Sequence, residues 1–215
     1  MMKIEQVLWD WNGTLLDDLE YSIQVRNNIF PAFHLPTLSG VEEHHRQFTF
    51  PVRLYYQRAG VTDDIFDDVA HAWMAEYERR METIPLHGDA VETVERFQRA
   101  GLRQTVLSAS EQTMLRRQLA LYGLEGRFDA ILGRGDIYAG SKEAIGREYL
   151  QSSGVPAEAT VMIGDSLHDA EVARALGTRC ILVARGHQSR ETLLQAGVPV
   201  VASLRKAADW VLEQQ

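Results

Sequence analysis

The sequence predicts an α/β fold, a doubly wound parallel sheet with an all-helical segment inserted after its first strand. Beyond Pro85, short apolar runs such as TVL, VMIG and CILVA alternate with helical patterns. Continuous apolar strands interleaved with helices are typical of a parallel sheet covered on both faces. Between the first apolar run, VLW, and Pro85 the periodicity is helical throughout. We therefore expect residues 1–16 and 85–215 to form the α/β core and residues 17–84 to form the insertion.

Four helices are predicted within the insertion. The first begins near Leu19, and Pro31 should kink or end it, because proline interrupts helical hydrogen bonding. Ser39 is a candidate cap for the second helix, and FPVRLYYQRAG forms the third, ending at Gly60. The fourth is a long amphipathic helix over residues 63–81.

The core should contain five further strands after the first strand at residues 4–10. They are predicted at residues 104–107, 128–132, 161–164, 180–184 and 198–201. The connecting helices are predicted at 89–100, at 111–122, from near Ser141, at 167–176 and at the end of the chain. The single cysteine, Cys180, lies in an apolar run and is interpreted as a buried strand residue.

Composition narrows the functional classes. The net charge of -8 argues against nucleic acid or an anionic membrane as partner, because binding to either needs a basic face. No apolar run approaches the roughly 20 residues of a membrane span. The N-terminal apolar stretch is too short for a secretory signal and contains Glu5. These features favour a cytoplasmic globular protein, and they leave its oligomeric state open.

Polar residues follow several predicted strands. Asp10 follows the first strand, Ser108 follows TVL, and Asp165 follows VMIG with Asp169 one helical turn on; Lys142 opens the helix after YAGS. Parallel strand order brings such ends to one edge of the sheet. Carboxylate oxygens at that density suit Mg²⁺, and a lysine there would offset phosphoryl charge. Ser108 and the backbone N–H groups after it are expected to hold phosphate at a helix N-terminus.

Taken together, these motifs resemble those of the haloacid dehalogenase-like (HAD) phosphohydrolase superfamily. DWNGTLLDD is similar to its first motif, LSAS to its second, Lys142 to its third and GDSLHD to its fourth. Within the superfamily the chain looks most like phosphoglycolate phosphatases, and the insertion has the size and place of the family's mobile cap. The resemblance implies a Mg²⁺-dependent phosphatase acting on a small phosphorylated metabolite.

The resemblance also implies a role for each motif residue. Asp10 would be the nucleophile that becomes an aspartyl phosphate. Asp165 and the backbone carbonyl of Asn12 would bind Mg²⁺ together with Asp10, with Asp169 as a further ligand or a residue behind the ligands. Ser108, Ala109 and Lys142 would bind the phosphoryl group, while Gly13 and Thr14 would shape the turn into the cap.

Asn12 departs from the family pattern, which has an aspartate there to protonate the leaving group and later activate water. An amide cannot exchange a proton at a useful pKa, and losing a general acid–base typically costs about 10²- to 10⁴-fold in rate. Three hypotheses remain open: a slow phosphatase or one whose substrate has a good leaving group, a phosphatase with a substitute donor, or a binding protein without turnover. His168 and His87 are the candidate substitute donors.

Related activities are less well supported. A phosphonatase would need a cap lysine, and residues 17–85 contain none. A dehalogenase would not need the carboxylates for Mg²⁺, and a phosphomutase also depends on the aspartate that Asn12 replaces. A pseudophosphatase that binds a phosphorylated ligand remains the non-enzyme alternative. Arg53 is the first candidate contact for an anionic substrate group, and Arg46 and His45 are the next candidates.

Overall fold

The computed structural model describes residues 2–214 and has a six-stranded parallel sheet at its centre. The strands, in chain order, are β1 (Gln6–Trp9), β2 (Arg103–Glu111), β3 (Ala130–Arg134), β4 (Thr160–Gly164), β5 (Arg179–Val183) and β6 (Val200–Val201). Their spatial order is β3-β2-β1-β4-β5-β6, with every neighbouring pair parallel. The chain moves outward from β1 to β3 and then returns to the other side of β1. This order is that of a doubly wound fold.

The insertion between β1 and β2 is helical, as predicted. It comprises α1 (Leu19–Ile29), α2 (Val41–Gln47), α3 (Val52–Arg58) and α4 (Phe66–Glu78), with 3-10 turns at Phe30–Phe33 and Met81–Thr83. Pro31 lies in the first turn of the former, directly after α1 ends. The insertion has an apolar cluster of its own, which includes Phe30, Tyr56 and Phe66.

The remaining helices cover both faces of the sheet. They are α5 (Ala90–Arg99), α6 (Gln112–Leu121), α7 (Glu143–Ser153), α8 (Leu167–Leu176), α9 (Arg190–Leu193) and α10 (Leu204–Leu212). Alternate residues of β1 point to opposite faces, so Trp9 packs in the cluster with α5, α6 and α10, whereas Leu8 packs with α8 and Leu193. Cys180 is a buried free thiol in β5. None of the helices in the described part of the chain combines the length and apolar character that crossing a membrane requires.

Two antiparallel crossings connect the insertion to the sheet. The amide of Asp17 donates to the carbonyl of Pro85 at 2.9 Å, and the amide of His87 donates to the carbonyl of Leu15 at 3.0 Å. Leu16 forms an antiparallel bridge with Leu86 between them. This bridge lies beside the predicted boundaries at residues 16/17 and 84/85, and the division into two domains stays a prediction.

Three element predictions need correction. The helix predicted over 63–81 begins only at Phe66, because the Asp63 carboxylate binds Arg53 and Gln57 instead of capping a helix. The second helix begins at Val41 with Gly40 at its N-cap, while the Ser39 hydroxyl donates to Glu43. Helix α9 was not predicted, since four residues carry no helical periodicity.

Candidate active site

The site lies at the carboxyl end of the sheet, where β1 and β4 are neighbours. Trp9 pairs with Ile163, and the amide of Asp10 continues the ladder by donating to the carbonyl of Ile163 at 2.9 Å. Asp10 and Asp165 therefore leave adjacent strands side by side. This is the point at which strand order reverses, where open α/β sheets bind their ligands.

The Asp10 carboxylate is held from two sides. Buried Lys142 donates to Oδ1, and the Thr14 hydroxyl donates to Oδ2 at 2.9 Å. Burial raises the pKa of Asp10 to about 6, although the Lys142 ammonium opposes that rise. The same carboxylate, together with that of Asp169, keeps the pKa of Lys142 above its usual value despite burial. Asp10 is thus a fixed carboxylate beside a fixed cation.

Asp165 is packed against backbone. Its Oδ2 accepts from the amide of His187 at 2.6 Å, and the Thr14 hydroxyl lies 3.5 Å from Oδ1. Burial raises its pKa to about 8, with Asp10 and Asp169 adding like charge. A Cβ atom on Gly13 would lie 2.3 Å from Oδ2, and one on Gly186 would lie 2.1 Å from it. Glycine at both positions leaves the room that this carboxylate occupies.

Asp169 anchors the start of α8. Its Oδ2 accepts from the amides of Asp165 and Ser166 at 3.1 and 3.0 Å and from the Ser166 hydroxyl at 2.7 Å. Its Oδ1 lies 2.8 Å from Nζ of Lys142. Burial acts to raise the pKa of Asp169, but Lys142 outweighs it and the pKa falls below its usual value. Both oxygens are occupied, so this residue positions Lys142 and the backbone of Asp165.

The donor set fits a hard divalent cation. Carboxylate oxygens of Asp10, Asp165 and Asp169 all lie within 4.8 Å of one another and all three residues are buried. Lys142 contacts two of these carboxylates directly, and burial, together with repulsion among the carboxylates, raises the pKa of Asp10 and of Asp165. Clustered oxygen ligands are what Mg²⁺ prefers in proteins.

The second motif is extended backbone, which corrects one expectation. Strand β2 continues through Ser108 and Ser110 to Glu111, and α6 begins only at Gln112, capped by the Glu111 side chain on the amides of Thr113 and Met114. Ser108 and Ala109 therefore lie on a strand extension and not at a helix N-terminus. Both line the same cavity as Asp10 and Lys142.

The side chain of Asn12 is fully engaged. Its Nδ2 donates to Oδ2 of Asp18 at 2.7 Å and to the Tyr77 hydroxyl at 3.1 Å. Its Oδ1 accepts from the Ser110 hydroxyl at 2.6 Å. The contact with Asp18 requires an amide or a protonated group at position 12, because two ionised carboxylates would repel each other.

Asp18 and His187 form a buried pair that sequence reasoning missed. Nε2 of His187 lies 3.2 Å from Oδ1 of Asp18, which also accepts from the amide of Gly13 at 2.8 Å. Burial lowers the pKa of His187, but Asp18 outweighs it and raises the value to about 9. Asp18 directly precedes α1, where an aspartate is an ordinary N-cap residue and gives no sign of a functional role. His187 carried a weak signal, since GHQS follows strand β5 at the same sheet edge.

Each candidate proton donor has one ring nitrogen near another group, while its second ring nitrogen, Nδ1 of His87 or Nε2 of His168, is buried and makes no hydrogen bond within residues 2–214. Nε2 of His87 lies 3.2 Å from the carbonyl of Gly13. His168 stacks on Phe50, with ring centroids 3.7 Å apart, and Nδ1 lies 3.6 Å from Glu171. Of the two, only His168 lines the cavity.

A cavity of about 190 Å³ extends from Asp10 into the insertion. Its wall in the insertion is rich in aromatic side chains, which are Phe48, Phe50, Tyr55, Tyr56, Phe66, Trp73 and Tyr77. The structure does not bring Arg53 into this cavity: its half-exposed guanidinium pairs with Asp63 at 2.7 Å. Arg46 is exposed, and Nε2 of His45 lies 2.9 Å from the carbonyl of Gly186. The buried arginine on the wall is instead Arg26.

Residues 7–183 match the model of the haloacid dehalogenase-like hydrolase family. The chain belongs to this family. It is 28% identical over 188 residues to a putative pyrophosphatase PpaX of Caldanaerobacter subterraneus subsp. tengcongensis, covering 85% of this chain and 82% of that protein. It is 22% identical over 211 residues to a phosphoglycolate phosphatase of Pseudomonas savastanoi pv. phaseolicola, covering 93% and 77%.

The fold also matches solved structures of the family. A predicted phosphatase from Clostridium acetobutylicum superposes with a TM-score of 0.87 at 19% identity, over 99% of this chain and 100% of that one. The predicted family and the predicted doubly wound fold with its helical insertion are therefore confirmed. From here the inserted helices are called the cap.

Proposed function

We propose that this hydrolase is a Mg²⁺-dependent phosphatase that cleaves a small phosphate monoester through an aspartyl phosphate on Asp10. The observation that carries the proposal is the placement of the Asp10 carboxylate, fixed between Lys142 and Thr14 and lining a cavity that extends under the cap. In the first step a carboxylate oxygen of Asp10 forms a bond to phosphorus while the bond to the ester oxygen breaks. In the second, water attacks phosphorus, and inorganic phosphate and the free carboxylate are released.

Asp10, Asp165 and the backbone carbonyl of Asn12 are the proposed metal ligands. When bound, Mg²⁺ would supply positive charge against the phosphoryl oxygens and the clustered carboxylates. We assign Asp169 to the layer behind the ligands, because Lys142 and three hydrogen-bond donors already occupy its oxygens.

Lys142, Ser108 and Ala109 form the proposed phosphoryl cradle. Lys142 is only 1% exposed and has its pKa raised, so it stays charged throughout the neutral range. A preorganised cation beside the transferring group stabilises developing charge without reorganisation. The Ser108 hydroxyl accepts from the amide of Ser110 at 3.1 Å, which leaves its own proton free to point at phosphate.

The fixed amide of Asn12 determines which leaving groups are suitable. Its hydrogen bonds to Asp18, Tyr77 and Ser110 fix the position of the side chain. Because this side chain is an amide, it cannot deliver a proton to the leaving group. We therefore propose that leaving groups stable as anions react well and that alkyl esters react slowly. The aromatic cavity wall suits an organic leaving group better than the second phosphoryl group of pyrophosphate, since burying charge against apolar surface is costly.

The same Asn12 network favours one alternative, a protein that binds a phosphorylated ligand without turning it over. Phosphate release from 4-nitrophenyl phosphate with Mg²⁺, with chelator, and with Asp10→Asn separates the two. The proposal expects release that needs both the metal and the Asp10 carboxylate. Release that survives exhaustive chelation or Asp10→Asn would exclude the mechanism, and metal-dependent binding without release would establish the binding protein.

A further inference from the structure

Arg26 is a buried cation in the cap that the proposed chemistry does not use. It lies in α1 and is 2% exposed, and it lines the same cavity as Asp10 and Lys142. Its position follows from the sequence of the helix, since Leu19, Ile23, Arg26 and Phe30 recur at intervals of three and four residues. An arginine thus occupies a place on the apolar stripe of an amphipathic helix.

The hydrogen bonds of Arg26 leave its charge without an anionic partner. Nη1 donates to the Tyr55 hydroxyl at 2.5 Å and Nη2 to Oε1 of Gln47 at 3.1 Å. The guanidinium carbon lies 4.6 Å from the Phe30 ring centroid and 5.0 Å from that of Tyr55. Its buried Nε has no hydrogen-bond partner within residues 2–214.

Other buried cations of this protein are paired with acids. Lys142 contacts Asp10 and Asp169, and His187 contacts Asp18. No carboxylate in the described part of the chain forms an ion pair with Arg26. Glu43 is linked to it through Gln47, whose Nε2 donates to Oε1 of Glu43 at 3.0 Å, and otherwise interacts with its charge only at longer range. Burying a cation without an acidic partner is unfavourable, so a buried cation at a cavity wall points to an anionic ligand.

We propose that Arg26 binds a carboxylate on the part of the substrate remote from the phosphate. This inference rests on the proposed function and specifies its substrate class: a phosphate monoester with an apolar body and a carboxylate at its far end. Aromatic side chains, including Phe48, Phe66 and Trp73, line the cavity that holds both Asp10 and Arg26. They would contact the apolar body.

A carboxylate fits Arg26 better than a second phosphate does. The site offers one positive charge, an Nε–H that has no partner among the described residues and the neighbouring Tyr55 hydroxyl, which together suit a monoanion. A phosphate dianion would need further cations, and no other arginine or lysine from the cap lines the cavity among the residues described. The cavity of about 190 Å³ also limits the organic body to a small ring or short chain.

Matched aryl phosphates test this assignment. The specificity ratio is kcat/KM for 4-carboxyphenyl phosphate divided by kcat/KM for phenyl phosphate, measured for the wild type, Arg26→Gln and Arg58→Gln. Arg58 is an exposed cap arginine outside the cavity and serves as the matched control. Because leaving-group reactivity cancels between variants, the ratio should fall at least about tenfold in Arg26→Gln, mainly through KM, and stay unchanged in Arg58→Gln.

A binding measurement makes the test independent of turnover. Calorimetry with benzylphosphonate and its 4-carboxy analogue, neither of which can be hydrolysed, should show a wild-type preference for the carboxylated compound that Arg26→Gln loses. Arg26→Lys keeps the charge but not the N–H geometry, so it should retain part of the preference for the carboxylated compound. It serves as the test variant if Arg26→Gln does not fold.

The outcomes distinguish failure of the carboxylate site at Arg26 from failure of the proposed phosphatase activity. Equal binding of the two phosphonates by the wild type, or an unchanged preference in folded Arg26 variants, would overturn the role of Arg26. So would tighter binding of a bisphosphonate than of the carboxylated compound. Absence of phosphate release from every ester, with the phosphonate preference intact, would overturn the proposed phosphatase while supporting the carboxylate site.

Discussion

The amide nitrogen of Asn12 lies 2.7 Å from the carboxylate of Asp18, so an amide and an acid face each other beside the nucleophile. Asp18 also accepts from the Tyr77 hydroxyl at 3.1 Å and pairs with His187. Burial acts to raise the pKa of Asp18, but His187 and the hydrogen-bond donors outweigh it and keep the carboxyl ionised. The side chain of Asn12 is therefore held in place by an ionised acid.

Exchanging the Asn12 amide and the Asp18 carboxylate should increase turnover of esters with poor leaving groups. Asn12→Asp alone places a new carboxylate against Asp18, and the repulsion weakens the gain. Combining it with Asp18→Asn keeps an amide facing an acid while moving the carboxylate to position 12. We expect the double variant to hydrolyse alkyl phosphates about 10²-fold faster than the wild type, with a smaller gain on aryl phosphates.

The alkyl-to-aryl rate ratio, compared among wild type, single and double variants, measures this effect. An unchanged ratio in a folded double variant would mean that another group already supplies the proton. Asp18→Asn alone is the matched control, because it alters the same contact without adding an acid at position 12.

Lys142→Ala should lower kcat by about 10²- to 10³-fold, because the transferring phosphoryl group would lose its preorganised cation. It should also destabilise the fold, since Asp10 and Asp169 would become unpaired buried charges, at a cost of about 3–5 kcal/mol. Lys142→Arg should rescue activity poorly, because a planar fork does not replace a compact ammonium. Rates are measured well below the melting temperature of each variant. A kcat of Lys142→Ala near that of the wild type would contradict the proposed role of Lys142 beside the phosphoryl group.

Gly186→Ala should impair the site through sterics alone. The added Cβ would lie 2.1 Å from Oδ2 of Asp165, so this carboxylate must move. We expect the apparent Mg²⁺ affinity, measured by activation of phosphate release, to fall about 10- to 100-fold. Gly126→Ala is the matched control, because a Cβ there meets nothing within 4 Å. Equal Mg²⁺ activation of the two variants would argue against Asp165 as a ligand.

The Asp18–His187 pair should make stability depend on pH. The pKa of His187 is raised to about 9 in the folded protein, against about 6.5 in an unfolded chain. Its contribution, about 3 kcal/mol, is therefore fully present below pH of about 6.5 and is lost as pH rises through about 9. Urea unfolding from pH 6 to 10 should show this loss in the wild type and a flatter profile in His187→Gln. Parallel profiles would contradict the ionised pair.

Local patterns predicted most of the framework. Asp10, Ser108 and Asp165 could be identified because each follows a short apolar run, a pattern that can be recognised in the sequence without knowledge of tertiary contacts. The parallel order of the strands then places these residues at one edge of the sheet. The limits of the elements were harder to predict: β2 was expected to end at Leu107 but continues to Glu111, so the second motif lies on the strand.

Contacts between distant segments could not be predicted. His187 contacts Asp18, which lies 169 positions earlier in the chain, and Tyr77 contacts Asn12 from the last turn of α4. Arg53, in FPVRLYY, was the candidate from the sequence for an anionic substrate group, and Arg26 was not singled out. Packing pairs Arg53 with Asp63 and buries Arg26 instead. Only the position of Arg26 on an apolar helix stripe distinguished it beforehand.

Chemical trapping of the phosphorylated enzyme tests the central claim most directly. Because Asn12 cannot activate water, the aspartyl phosphate should break down slowly after a good leaving group departs. Mixing the enzyme with Mg²⁺ and 4-nitrophenyl phosphate, quenching in acid and mapping peptides by mass spectrometry should therefore find phosphate on Asp10, with a burst of 4-nitrophenol that approaches the enzyme concentration. Turnover without a burst and without phosphate on Asp10, or phosphate on a different residue, would contradict the account.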